Sequence, residues 1–304
     1  MSRTPPYQRT SWQQRTLGHL KLARISNSPT IVTNTLAGVA LAGSGWHAHT
    51  SLLIALAMLL CYTGGMYLND LWDYAIDCRI RPERPLPSST VTVLEASLTC
   101  ATLFTVSIIL LAQVGIWPLL SGGILIGLIV VYDRWHKGNP WSPALMGACR
   151  ALVYSTALLA VLPKGIAHVL LPAALLAGYV AALTWFAKLA ATARQRQTQT
   201  TRTWHYFLLT LLYLPAVWAL INPGAASGYL WLRLLVAATF VLWVWWSVHL
   251  AKEGQIDRAV GQFIAGISLV DALILVAQGW WPATIVALAA WGLTLSLQRY
   301  VKGT

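Results

Sequence analysis

The sequence predicts an all-α integral membrane protein, a polytopic bundle of about nine to ten transmembrane helices. Of its 304 residues, 57% are hydrophobic and 10% are charged, and 16 are tryptophans. Apolar stretches near the ~20 residues that cross a bilayer recur along almost the whole chain, with short polar connections between them. Helices are expected because the bilayer core has no water to satisfy free peptide groups. The composition excludes a soluble globular domain.

The chain divides into a basic N-terminal segment, 1–28, and a single predicted membrane domain, 29–304. The N-terminal segment lacks the apolar core and cleavage signal of a secretory signal peptide. Within the membrane domain, the stretch 260–278 is short and contains Asp271, so a re-entrant or distorted crossing is an alternative there. The candidate spans are 29–45, 50–68, 91–113, 115–133, 142–162, 165–187, 204–221, 228–250, 260–278 and 280–298.

The basic residues predict the orientation of the chain. When the connections are assigned to alternate sides, all of the 21 Lys and Arg residues except Arg150, Lys164 and Arg233 fall on the side of the N-terminus. Such a bias marks the cytoplasmic side. We therefore expect a multi-pass protein of the cell (inner) membrane with a cytoplasmic N-terminus. The net charge of +12 is then topological, and no nucleic-acid partner is expected.

The most concentrated polar motif is Asn69–Asp77, at the end of the second apolar stretch. Its acids, Asp70, Asp73 and Asp77, are spaced by three and four residues, so on a helix they share one face. Like charges at this spacing repel each other, and a bound cation would offset that cost. Mg²⁺ suits the motif because it takes one or two carboxylates and keeps positions for water and phosphate oxygens.

Basic residues follow the acids directly, and they favour a phosphate ligand. Arg79, Arg81 and Arg84 carry guanidinium groups that match phosphate geometry. Metal and arginines together predict a diphosphate site at the membrane surface. The alternative is a hydrated helix end whose acids pair with nearby arginines.

Further candidates lie elsewhere in the chain. Lys137, in the connection after the fourth span, and Arg150, inside the fifth, could both reach a phosphate; Arg150 could instead snorkel or pair with an acid. Asn34, in the first span, could bind a substrate headgroup or a neighbouring helix. Asp271 is an intramembrane acid without an evident partner, which makes it an unassigned functional candidate.

The residues of the acidic motif resemble a known family. Asn69-Asp70-x-x-Asp73-x-x-x-Asp77, followed by the basic stretch 81–88, looks like the first aspartate-rich motif of the UbiA superfamily of intramembrane prenyltransferases, with Ser89 where glycine is common. The stretch 132–137 is similar to the family's segment after the fourth helix, and Asn34 is similar to its first-helix asparagine. Details such as 136–140 resemble an EboC-like branch.

The resemblance implies a UbiA-like bundle that binds a prenyl diphosphate through Mg²⁺. Asp70, Asp73 and Asp77 would be the catalytic and metal-binding residues. The expected partners are a prenyl diphosphate, an unidentified acceptor and the lipid bilayer. The residues expected to bind substrate are Asn34, Asn69, Arg81, Arg84, Lys137, Arg150, Lys188 and Arg194.

One departure from the family pattern leaves two functions open. The family usually has a second aspartate motif near the end of the sixth helix, whereas residues 184–202 contain no carboxylate. We expect Lys188, Arg194 or both to contact the diphosphate in place of a second metal ion. The first hypothesis is Mg²⁺-dependent prenyl transfer to an acceptor at the cytoplasmic membrane face. The alternative is a non-catalytic protein of the same fold that binds a lipid diphosphate or assists precursor export.

Overall fold

The computed structural model describes residues 11–43, 47–196, 202–222 and 229–301, with side chains throughout except at 189–196 and 202–209. Every regular element in these ranges is helical, which confirms the predicted all-α membrane bundle. After a 3₁₀ turn at Ile25–Asn27, the chain runs almost entirely through long helices. The helices are α1 Trp12–Leu22, α2 Ser28–Ala40, α3 Ala48–Ile80, α4 Val93–Val114, α5 Ile116–Trp135, α6 Ser142–Val161, α7 Ile166–Arg196, α8 Arg202–Ile221, α9 Leu230–Lys252, α10 Ile256–Ala277 and α11 Trp281–Gln298.

Each of the ten predicted spans coincides with one of the helices α2 to α11. In the described part of the chain, eight of these helices are long and apolar enough to cross a membrane. The other two are α2, which has 13 residues and is shorter than the predicted span 29–45, and α8, which has 20 residues and covers the predicted span 204–221; the described side chains of α8 begin at Thr210. The suspected distortion at 260–278 is wrong, because α10 is a continuous helix of 22 residues.

The length of α3 places the acidic motif at one end of the bundle. Its 33 residues span about 50 Å at 1.5 Å per residue, against ~30 Å of hydrocarbon. Its last turns, which carry Asn69 to Asp77, therefore extend past the apolar layer. The loop after α3 ends at a capping box in which Thr92 and Glu95 satisfy each other's backbone N–H groups, and this fixes the start of α4.

Helix α10 forms the centre of the bundle. It packs against α2, α7, α9 and α11, and 89% of the residues in its apolar stretch are buried. A second apolar cluster lies between α2, α3, α5 and α6, around Ile31, Met58 and Leu125. This second cluster lies deeper in the bundle, next to the acidic end of α3.

Helices α6 and α7 approach each other closely at Gly147. A Cβ atom there would lie 2.4 Å from the carbonyl oxygen of Ala177 and 3.1 Å from its carbonyl carbon. Both atoms belong to the α7 backbone, which cannot rotate away as a side chain can. We expect Gly147→Ala to lower the free energy of unfolding by about 1–3 kcal/mol, the usual cost of overpacking. Thermal unfolding of the detergent-solubilised protein measures this change.

Gly123 is the matched control for this substitution. It also lies within a helix, α5, but among the described residues no atom outside its own stretch of the helix lies within 4 Å of the Cβ position. Gly123→Ala should leave stability unchanged or raise it by up to about 1 kcal/mol, because alanine is the better helix former. Equal unfolding temperatures for Gly147→Ala and Gly123→Ala would contradict the close packing of α6 on α7.

Candidate functional site

A cavity of about 640 Å³ opens at the end of α3. It lies between α3, α5 and α6, and its mouth is formed by the loop after α3 and the connection between α5 and α6. Charged side chains surround the mouth and apolar side chains form the interior. The described residues of its wall are Arg24, Ile31, Met58, Cys61, Tyr62, Gly65, Met66, Asn69, Asp73, Ile76, Asp77, Ile80, Arg81, Arg84, Leu125, Ile129, Tyr132, Asp133, His136, Lys137, Met146, Cys149, Arg150 and Val153.

The three acids of α3 are all buried, with 8%, 8% and 6% of Asp70, Asp73 and Asp77 exposed. Arg84 lies between two of them: its Nη1 is 2.6 Å from Asp77 Oδ2 and 3.8 Å from Asp70 Oδ1. Arg24 reaches the same group from the N-terminal side, with Nη2 3.4 Å from Asp70 Oδ1. Asp70 therefore meets the cavity through these two arginines, which belong to its wall.

Asp73 faces the connection between α5 and α6. Its Oδ1 is 2.6 Å from Lys137 Nζ, and its Oδ2 is 3.7 Å from His136 Nε2. The three acids of one helix face thus contact basic groups from three parts of the chain. This arrangement alternates positive and negative groups around the mouth.

The acids do not converge on a common point. Among the described residues, no group of three His, Cys, Asp or Glu side chains is assembled to hold a metal ion. This geometry agrees with the ion-paired acids of the alternative interpretation, but the cavity beneath them agrees with the diphosphate hypothesis. The donors are hard carboxylate oxygens of the kind that Mg²⁺ binds. One further carboxylate oxygen in the wall, Asp133 Oδ2, is buried and has no hydrogen-bond partner in the described ranges. The donor set therefore fits Mg²⁺ chemically.

The loop after α3 carries the two arginines predicted to bind substrate. Arg81 and Arg84 both belong to the cavity wall. The loop closes through Ser89, whose φ of +59° is in the left-handed region. Glycine adopts that conformation without steric cost, which gives a physical reason for the glycine that is common at this position in the resembled family.

Asn34 and Arg150 form a buried chain of hydrogen bonds that ends at Asp271. Arg150 Nη1 donates to Asn34 Oδ1 at 2.8 Å and to Thr30 Oγ1 at 3.1 Å. Asn34 Nδ2 in turn donates to both carboxylate oxygens of Asp271, at 2.8 and 2.9 Å. Asn34 is fully buried and is not among the described residues that line the cavity. Of its two predicted roles, the structure favours helix packing.

Lys188 contacts a loop and not the cavity. Its Nζ donates to the carbonyl oxygens of His136 and Asn139, both at 3.0 Å, and to Ser142 Oγ. It is absent from the described wall of the cavity, and its direct contact with a diphosphate stays a prediction. Lys188 instead fixes the connection that carries Lys137. The side chain of Arg194 lies outside the described residues.

The sequence alone does not predict two of the residues at this site, Arg24 and Asp133. Arg24 was assigned only to the cytoplasmic charge bias, yet its Nη2 donates to Asn69 Oδ1 at 3.0 Å. Asp133 accepts a hydrogen bond at Oδ1 from Asn69 Nδ2, also at 3.0 Å. The sequence offers one indication of a role for Asp133: it is one of only nine acidic residues in the chain. Both residues meet Asn69 through tertiary contacts that no local pattern encodes.

Comparison with known proteins gives both sequence relatives and structural neighbours. The digeranylgeranylglyceryl phosphate synthase of Thermococcus kodakarensis is 31% identical over 110 residues, which are 36% of this chain and 40% of that protein. The protein of the same name from Methanoregula boonei is 27% identical over 274 residues, 86% of this chain and 85% of that protein. The chain matches about two-fifths of the length of several such relatives.

Two solved structures share the fold. The apo structure of a UbiA homologue from Aeropyrum pernix K1 has a TM-score of 0.65 at 16% identity, covering 83% of this chain and 97% of that one. A structure of digeranylgeranylglyceryl phosphate synthase has a TM-score of 0.58 at 17% identity, covering 90% and 99%. The EboC-like branch stays a prediction. The sequence profile of the UbiA prenyltransferase family matches residues 31–267, and the chain therefore belongs to this family of transferases.

Proposed function

We propose that this protein transfers a prenyl group from a prenyl diphosphate to an acceptor, with the diphosphate bound through Mg²⁺ at the cavity mouth. The observation that carries the proposal is the polarity of the cavity. Its mouth has Asp73, Asp77, Arg81, Arg84 and Lys137, whereas Ile31, Met58, Leu125, Ile129 and Val153 line its interior. A prenyl diphosphate is divided in the same way, into a charged diphosphate headgroup and an apolar prenyl tail.

Substrate binding exchanges the ion pairs of the mouth for new ones. Asp70, Asp73 and Asp77 would hold the cation, with Asn69 beside them. The basic partners that they release, Arg84 and Lys137, would bind the diphosphate oxygens together with Arg81. When bound, Mg²⁺ neutralises charge on the diphosphate and makes it a better leaving group. Each charge that loses a protein partner thus gains one from the ligand.

The reaction breaks the bond between the prenyl carbon and its diphosphate oxygen. The electron pair stays on the diphosphate, where Arg81, Arg84 and Lys137 stabilise the growing negative charge. The prenyl carbon bonds to a nucleophilic atom of the acceptor, which loses a proton. The apolar interior keeps water away from the electron-deficient carbon. Arg150 also lines the cavity, with its guanidinium 5.7 Å from the ring of Tyr62, so we include it among the substrate-binding residues.

The site would lie at the cytoplasmic face of the cell membrane. The end of α3, the connection between α5 and α6 and the end of α7 meet on one side of the bundle, as the contacts of Asp73 and Lys188 require. These are the connections that carry the excess of basic residues. The positive-inside bias supports a cytoplasmic position for that side.

A non-catalytic diphosphate-binding protein is the second candidate. The absence of carboxylates from residues 184–202 favours it, because an acid there would otherwise assist a second cation or the acceptor. The two functions differ in the fate of the ligand. A binding protein would return the prenyl diphosphate uncleaved, while a transferase would release diphosphate.

Transfer of label from radiolabelled geranylgeranyl diphosphate tests the proposal. The relatives' name contains the geranylgeranyl group, which makes this donor the first to try, followed by farnesyl diphosphate. Membranes from cells that overproduce the protein supply both enzyme and acceptor. We expect label in a new lipid and release of diphosphate in the presence of Mg²⁺, and only the level of control membranes after chelation. Uncleaved donor that stays bound to the protein would support the binding function instead.

A further inference from the structure

Asp133, near the end of α5, is a buried acid with an unused oxygen. Only 5% of the residue is exposed. Its Oδ1 accepts the 3.0 Å hydrogen bond from Asn69 Nδ2, but its Oδ2 is buried and no described residue is hydrogen-bonded to it. In the described part of the chain, no Lys, Arg or His group lies within ion-pair distance of it.

Such a carboxylate is costly to keep. A buried ionised acid needs an opposite charge or several hydrogen bonds to offset its lost hydration. Buried polar atoms without partners are rare in folded proteins, and each requires a physical explanation. The single hydrogen bond from a neutral amide supplies only part of what Asp133 needs. The missing part corresponds to a positive group at close range, which no described residue provides.

The neighbours of Asp133 connect it to the acidic motif. Asn69 is held in place from its other end, because its Oδ1 accepts from Arg24 at 3.0 Å, and its amide nitrogen is therefore directed at Asp133. His136 lies next to both acids: its Nδ1 is 3.1 Å from the Asp133 carbonyl oxygen, and its Nε2 is 3.7 Å from Asp73 Oδ2. Asp133 and Asp73 also belong to the same cavity wall.

We propose that Asp133 is a further ligand of the divalent cation that accompanies the diphosphate. The inference rests on the proposed function, in which Asp70, Asp73 and Asp77 hold such a cation. Asp133 supplies from α5 a carboxylate that the end of α7 does not contain. The unpartnered oxygen is then the atom that the cation takes up, and the cation provides the positive charge that the buried acid lacks.

The substitution Asp133→Asn should have opposite effects on two properties: stability without ligand should stay the same or rise, and the affinity for the cation should fall. It keeps an oxygen that can accept from Asn69 and removes the charge. Without ligand, the full-length variant in nanodiscs should unfold at the same temperature as the parent or at a higher one. Binding of Mn²⁺ in the presence of farnesyl thiodiphosphate, followed by electron paramagnetic resonance, should be weakened at least tenfold. Asp73→Asn should weaken it too, and Glu83→Gln, at an exposed acid of the neighbouring loop, should bind as the parent does.

The outcomes separate this inference from the proposed function. Parent-like Mn²⁺ binding by Asp133→Asn, with binding weakened in Asp73→Asn, would overturn the role of Asp133 and leave the proposed function intact. A variant that fails to fold, or unfolds at a lower temperature than the parent, would also overturn it, because Asp133 would then be structural. A parent that binds no Mn²⁺ with the thiodiphosphate would overturn both.

Discussion

Replacing Asp73 by alanine is expected to reduce prenyl transfer by about a hundredfold to a thousandfold, the usual effect of removing one preorganised electrostatic group from an active site. Asp73 is the motif acid that both lines the cavity and pairs with Lys137, at 2.6 Å. Its loss would remove a cation ligand and leave Lys137 without its fixed position. The rate of label transfer from geranylgeranyl diphosphate, measured at saturating donor, reports the effect.

The same substitution should cost little stability. Lys137 retains 42% side-chain exposure, so water can hydrate its ammonium when Asp73 is removed, and an ion pair with such an exposed partner is worth about 0–1 kcal/mol. A large loss of rate with a nearly unchanged unfolding temperature would therefore identify a functional role. Glu83→Ala is the control, because Glu83 is an exposed acid in the loop beside the site. Equal rates for the parent, Asp73→Ala and Glu83→Ala would contradict the assignment of the acidic motif.

Replacing Asp271 by leucine is expected to have the largest effect on stability. Asp271 is fully buried in the second half of α10 and accepts hydrogen bonds from Thr33, Asn34 and Tyr154. Leucine has a similar size but cannot accept any of them. We expect a loss of about 3 kcal/mol: three interhelical donors lose roughly 0.6 kcal/mol each, and Arg150, which reaches Asp271 through Asn34, loses the nearby negative charge. Thermal unfolding in detergent measures the loss.

An acid near the start of the same helix provides the comparison. Asp257 lies in the first turn of α10 and is exposed. Asp257→Leu should cost about 1 kcal/mol or less, because a helix-dipole contribution or an ion pair of an exposed side chain is worth at most about that much. If Asp271→Leu unfolds within 1 °C of Asp257→Leu, the buried chain from Arg150 to Asp271 does not stabilise the bundle.

The sequence predicted the features that depend on local periodicity. The hydropathy of the spans predicted long helices, and the three- and four-residue spacing of Asp70, Asp73 and Asp77 predicted that the acids share one face at the end of α3. The partners of these acids depend on tertiary structure. Arg24 approaches Asp70 across 46 residues of chain, and Asn34 meets Asp271 across 237.

Some side chains could make more than one contact, and the spacing of residues in the sequence alone does not distinguish between these contacts. Lys188 directly follows the predicted sixth span, on the same side as the acidic motif, and this position makes a phosphate contact reasonable. In the structure, the ammonium of Lys188 donates hydrogen bonds to the carbonyl oxygens of His136 and Asn139.

The end of α2 also differs from the prediction. The helix ends at Ala40 although hydrophobic residues continue beyond it, because Gly43 adopts a left-handed φ of +65° that no helix continues.

A structure of the protein with Mg²⁺ and geranylgeranyl thiodiphosphate would show where the substrate headgroup binds. We expect the diphosphate to lie between the end of α3 and the side chains of Arg84 and Lys137, with Asp73 turned from Lys137 to the cation. The tail would follow the apolar wall past Met58 and Leu125. An analogue bound outside this cavity, or bound while the pair Asp73–Lys137 stays intact without a cation, would contradict this expectation.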